Sequence, residues 1–158
     1  MMKQLSPLLK VLDENYAKAP ALPKKWTDLI VTFAPWLALL GGVLGLLFGV
    51  MGLLASLSLF GLVAAVAPLG VYGATYGPQY IIAVVVGALV LLATGVLSLM
   101  AYPSLKARKE KGWNLMFFVL VLGIVSSIAS LNVFSIVMSL VVALIEYYVL
   151  YQVKAYYK

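Results

Sequence analysis

Between Lys111 and Lys154 the only charged side chain is Glu146. An acid set in so long an apolar run is costly in lipid, so it calls for a partner or a purpose: coupling to a proton or a cation. The alternative is an interfacial carboxylate paired with Lys106, Arg108 or Lys109, or hydrogen-bonded to a tyrosine or Trp113. Glu146 lies toward one end of the run, which favours that quieter reading. Ser139 and Ser135 share its helical face with Ala143. That row reads either as a hydroxyl-lined path for water, a proton or an ion, or as a packing surface whose serines bond to their own backbone.

Other chemistry is excluded by composition. The chain has no His and no Cys, which removes thiolate nucleophiles, disulfides and imidazole bases. A serine without a base, or one acid without a second, cannot support intramembrane hydrolysis. Metal ligands are missing as well. The sequence therefore predicts no catalytic residue, no metal, no cofactor and no enzyme.

Two further patterns concern contact. Gly41, Gly45 and Gly49 recur every four residues and form a groove that lets another helix approach closely. The partner is either a second copy of the chain or a later helix bearing Gly87, Ala88 and Gly95. The second pattern is KARKEK at 106–111. Its Lys106, Arg108, Lys109 and Lys111 would meet anionic lipid headgroups, each contributing about 1 kcal/mol near a membrane surface. A basic run this short beside apolar tracts does not indicate nucleic-acid binding.

These residues must be positioned by helices in lipid. Of 158 residues 65% are hydrophobic and 10% charged, against roughly 45–50% and about 25% in soluble domains. No charge occurs between Asp28 and Lys106, and a span needs only ~20 apolar residues. Spans are predicted over about 29–54, 80–102, 113–131 and 133–153. The Gly- and Pro-rich stretch 55–79 becomes an outer-face half-helix and loop, and 103–112 a basic loop. A fifth span over 53–73 would put two basic clusters on opposite sides, against the positive-inside bias. Residues 1–25 hold an amphipathic helix, with Ser6 as N-cap and Leu5, Leu8, Leu9, Leu12 and Tyr16 on one stripe, followed by Pro20 and Pro23. It either lies in the interface or packs on the bundle ends. Tyr147, Tyr148, Tyr151, Tyr156 and Tyr157 read as an aromatic belt.

The segments KEKGWNLMFF (109–118) and YYVLYQVKAYYK (147–158) resemble uncharacterised small bacterial four-helix integral membrane proteins, which carry a basic-Gly-Trp entry to one helix and a Tyr-rich, Gln-Val-Lys/Arg exit from the next. The resemblance covers only the C-terminal hairpin and implies a bacterial source without an activity. The expectation is an all-α membrane protein of two helical hairpins in the inner (plasma) membrane, both termini cytoplasmic. It acts through helix packing as a homo-oligomer or an accessory subunit of a membrane-protein complex, among membrane lipids. The alternatives are a small oligomeric transporter or channel with its polar seam near Glu146, and an anionic-lipid-binding protein.

Overall fold

The computed structural model describes residues 10–11, 14–66, 78–129 and 133–158. All regular structure among them is helical. There are four long helices: α1 (Lys24–Val66), α2 (Pro78–Lys106), α3 (Glu110–Ala129) and α4 (Val133–Val153), followed by a 3-10 turn at Lys154–Tyr156. Each of the four is long and apolar enough to cross a membrane. Ser6 and its stripe neighbours Leu5, Leu8, Leu9 and Leu12 lie outside the described residues, as do Ser130 and Asn132 of the α3–α4 turn.

The bundle is arranged for lipid. Leu, Val and Phe side chains such as Leu40, Leu47, Phe48, Leu57 and Phe134 face outward, while Ala38, Ala88, Ala101, Ala143, Ser56 and Ser98 are buried. Between helices in a bilayer there is no hydrophobic driving force, so close approach of small residues supplies the contact.

On α1 one row of buried or half-buried positions runs through Val31, Pro35, Ala38, Gly42, Gly45, Gly49, Gly52, Ser56, Leu59 and Val63. The steps alternate four and three without a break, a 3.5-residue period that keeps one seam facing one partner along the whole helix. That seam explains why α1 does not stop near residue 54. It runs 43 residues, about 64 Å at 1.5 Å per residue, more than twice the hydrocarbon thickness of a bilayer. The half-helix expected over 55–79 is, as far as Val66, a continuation of α1, and 67–77 lie outside the described residues. Pro35 sits inside α1 without ending it, as is tolerated where neighbouring helices support the backbone.

α2 extends three residues past Pro103 to Lys106, into the stretch expected to be a basic loop. A proline so near a helix end removes little, because the remaining turn is closed by other bonds: Arg108 N donates to Leu105 O (3.0 Å) and Lys109 N to Ser104 O (2.8 Å). This is a Schellman cap. Its left-handed position holds Arg108, at φ 52°, where glycine is usual.

Gly112 then brings α3 against the end of α2, since a Cβ there would lie 2.6 Å from Leu105 N. From this turn α3 and α4 form a second antiparallel hairpin. Trp113 Nε1 donates to Leu150 O at 2.8 Å, Phe117 meets Tyr147 edge-on at 5.9 Å, and Leu120 and Ala143 complete the buried core.

Candidate functional site

The glycine groove is occupied within the chain. A Cβ on Gly45 would lie 3.1 Å from Gly95 Cα, and one on Gly49 2.7 Å from Leu92 Cγ. Gly42 and Gly52 belong to the same surface, meeting Leu99 and Ala88. Gly41 has nothing within 4 Å, and neither does Gly87. Of the three glycines singled out by spacing, two therefore pack α1 on α2 and one points elsewhere. The effective row is 42, 45, 49, 52. Spacing by four drifts off a helix face, whereas alternating three and four stays on it.

The N-terminal segment is docked at the opposite side of the bundle, on α4. The Tyr16 ring meets that of Tyr147 at 5.2 Å in a tilted arrangement, and its hydroxyl donates to Leu144 O at 2.9 Å. Pro20 O accepts from Tyr148 (2.6 Å) and from Gln152 Nε2 (3.2 Å). Tyr151 adds a ring contact to Tyr16 at 6.2 Å. Tyr156 donates to Asp28 Oδ1 at 2.8 Å and lies 3.1 Å from Thr27 Oγ1. Four of the tyrosines read as a membrane belt thus hold residues 16–28 in place.

The same end carries the basic turn. Lys158 N donates to Arg108 O (3.1 Å) and Glu110 N to Lys158 O (3.3 Å), pinning the turn to residue 158. Lys106, Arg108, Lys109 and Lys111 are all exposed. Lys106 Nζ lies over the Tyr102 ring at 5.9 Å and Lys154 Nζ over Trp113 at 5.0 Å. The basic residues Lys24 and Lys25 in the first turn of α1, Lys106 to Lys111 around the α2–α3 turn, and Lys154 and Lys158 after α4 therefore gather at one end of the bundle.

α4 packs closely on α3 but stands away from α1, and a lateral cleft of about 360 Å³ opens between them. Ile30, Ala34 and Ala38 form one wall, Met116 and Leu120 the floor, and Glu146 and Val149 the other wall. A second groove of about 270 Å³ adjoins it and shares Leu120 and Glu146; Thr94, Gly123 and Ser139 line it. Glu146 thus stands at the junction of two grooves, with Ser139 in one of them. Ser135 lines neither groove. Thr94 donates to Val90 O of its own helix, and Ser127 likewise donates to Ile124 O. Such hydroxyls are largely satisfied locally.

None of the partners proposed for Glu146 reaches it. Trp113 is bonded to Leu150 O and Lys106 rests on Tyr102. Among the described residues Glu146 has no ion pair or hydrogen bond.

The basic end of the cleft is closed by Tyr157, a residue that the sequence pattern places in the belt. It is only 6% exposed, and its hydroxyl is buried without a hydrogen-bond partner among the described residues. Burial raises its pKa above the ordinary tyrosine value, with nearby Arg108 acting in the opposite direction. No signal in the sequence separates Tyr157 from Tyr156, one residue away and bonded to Asp28.

No known protein family, curated protein or solved structure matches the chain.

Proposed function

We propose that this chain is a non-enzymatic multi-pass membrane protein that takes up a small solute in the lateral cleft between α1, α3 and α4, as a carrier or channel subunit. The observation that carries this reading is Glu146, an acid lining apolar walls with no protein partner among the described residues. A carboxylate in a spanning helix is costly unless something pairs with it. With no ion pair to Glu146 among the described residues, we read a solute or a proton as its partner. In reconstituted vesicles carrying an imposed pH difference, solute-driven dissipation of that difference should require Glu146. Identical flux in Glu146→Gln and wild type across organic and inorganic cations overturns the proposal.

A second reading is favoured by one separate feature. From Leu53 to Val66 α1 extends, with the start of α2, about 20 Å past the end of the α3–α4 hairpin. The extension is apolar, with Leu54, Leu57, Phe60 and Ile82 exposed. A bilayer ~30 Å thick does not cover so long a helix at ordinary tilt, so a second copy or a membrane-protein partner would. In this reading the chain is an assembly subunit whose contact is the extension rather than the glycine groove. Native mass spectrometry from mild detergent tests it: a defined oligomer or stoichiometric partner, lost in Leu57→Asn/Phe60→Asn, supports it, and a monomer throughout refutes it.

For orientation, we place the basic end in the cytoplasm of the cell that makes the protein, following the positive-inside bias. The membrane would be the plasma membrane of a bacterium.

A further inference from the structure

We infer that the solute of the cleft is a lipophilic organic cation, an ammonium or phosphonium shielded by apolar groups, held by Glu146 in exchange for a proton. This rests on the reading of the cleft as a solute site and adds the chemical class.

The cleft is poor in the groups that would hold a bare ion. Its walls are Ile, Ala, Leu, Met, Val and Trp113, and among the described residues Glu146 and Tyr157 are the only titratable side chains that line it; the adjoining groove contributes none besides Glu146. Among the described residues, α1 and α2 bring no charged group to either groove, Trp113 on α3 has its indole N–H committed to Leu150 O, and the N-terminal segment brings Lys18 to Leu144, outside both grooves. An inorganic cation would need several oxygen ligands in place of its water. Glu146 is a single carboxylate, and among the described residues Thr94 and Ser139 are the only hydroxyls in the adjoining groove. A cation with a greasy shell has already lost most of its hydration cost and needs only a counter-charge. Glu146 is exposed on the bundle, and at membrane depth an ion pair whose outer groups match the apolar surroundings is tolerable where either charge alone is costly. Anionic and zwitterionic ligands fit poorly, because they would bring a second negative group beside Glu146.

The cleft volume of about 360 Å³ lies in the range of small-molecule sites. It opens sideways, toward the lipid in which such cations concentrate. At its basic end the cleft is bounded by Tyr157, whose hydroxyl is buried and has no hydrogen-bond partner among the described residues. The proton-bound and ligand-bound states are electrically equal: carboxylic acid with no ligand, or carboxylate with one monovalent cation. Binding therefore releases at most one proton, and proton and ligand compete for the same oxygen atoms.

The experiment uses purified full-length protein in nanodiscs, with tetraphenylphosphonium as the probe and the fluorescence of Trp113 as the signal, in a Trp26→Phe/Trp36→Phe background. Saturable binding is expected to strengthen by up to about tenfold per pH unit while the proton competes. Glu146→Gln should weaken binding at least tenfold and abolish the pH dependence. Ala34→Leu, which fills the cleft from α1 and leaves Glu146 intact, should weaken it similarly. If Glu146→Gln binds the probe as wild type does while Ala34→Leu does not, the cleft is a solute site but the cation class is wrong. The cation class is equally overturned if uncharged triphenylphosphine oxide binds as tightly, or if an anionic lipid co-purifies and occupies the cleft. If neither variant changes binding, or none is seen, both this inference and the reading beneath it fall. Unchanged helical content by circular dichroism shows that either variant is folded.

Discussion

Gly45 of α1 and Gly95 of α2 meet backbone to backbone: a Cβ on Gly95 would stand 2.9 Å from Leu46 N and 3.0 Å from Gly42 O. No rotamer change relieves such a contact, because the obstacle is main chain.

Gly95→Leu and Gly45→Leu should therefore separate α1 from α2, with a loss of about 1–3 kcal/mol or more from overpacking. Gly41→Leu, with open space around it, should be neutral. Thermal unfolding in detergent checks this. Equal melting of Gly45→Leu and Gly41→Leu would contradict the assigned seam.

Trp113 is 2% exposed and holds α3 to α4 through one hydrogen bond. Trp113→Phe keeps most of the apolar contact and leaves Leu150 O with one bond fewer, so a destabilisation of about 1–2 kcal/mol is expected. Hydrogen exchange at 150–153 should rise in the variant more than exchange in α1.

Arg108 occupies a left-handed backbone conformation, which costs a residue with a Cβ about 1 kcal/mol relative to glycine. Arg108→Gly should raise the melting temperature, and Arg108→Val should lower it. The reverse order would show that the arginine side chain contributes more than the backbone strain removes.

Because burial raises the Tyr157 pKa, the folded protein resists ionising this phenol while the unfolded chain ionises it near pH 10. Its contribution to stability is thus fully present below pH 10 and lost as pH rises through the higher folded value. Ultraviolet titration should show one tyrosine ionising after the exposed ones, absent in Tyr157→Phe.

The orientation is also open to direct measurement, since the chain has no cysteine. Cysteines at Ala107 and Lys158 should react with an impermeant thiol reagent from the same side, and Ala65→Cys should not. Labelling of Ala107→Cys and Lys158→Cys from opposite sides would refute an even number of crossings between them.

The number of long apolar helices was legible because every Lys and Arg is confined to three places and Glu146 is the one charged side chain within the tracts between them. The length of α1 was not. Pro68, Gly70 and Gly73 suggested a break somewhere after residue 54, but what carries the helix to Val66 is a 3.5-residue seam of Gly42, Gly49, Ser56 and Val63, visible only once α2 is known to lie along it. The glycines were legible as a packing signal, and their partner was not, since the same spacing serves helices within a chain and between chains. Glu146 stood out by type, but whether a salt bridge satisfies it depends on where Lys106 and Trp113 point. Tyr157 could not be distinguished in a run of tyrosines, because its role is set by burial.

The contacts of residues 16–28 with α4 bear on the order in which the bundle is completed. Tyr16 and Leu144 are 128 residues apart in the chain, and so are Asp28 and Tyr156. During synthesis the α1–α2 hairpin can zip as soon as α2 has emerged, using its own glycines. Tyr16, Pro20 and Asp28 must wait until α4 has entered the bilayer. Until then the early segment is a loose end available to the insertion machinery, and its capture by the α4 tyrosines closes a ring through the whole fold. Integration of α4 is therefore the step that commits the protein to its finished form.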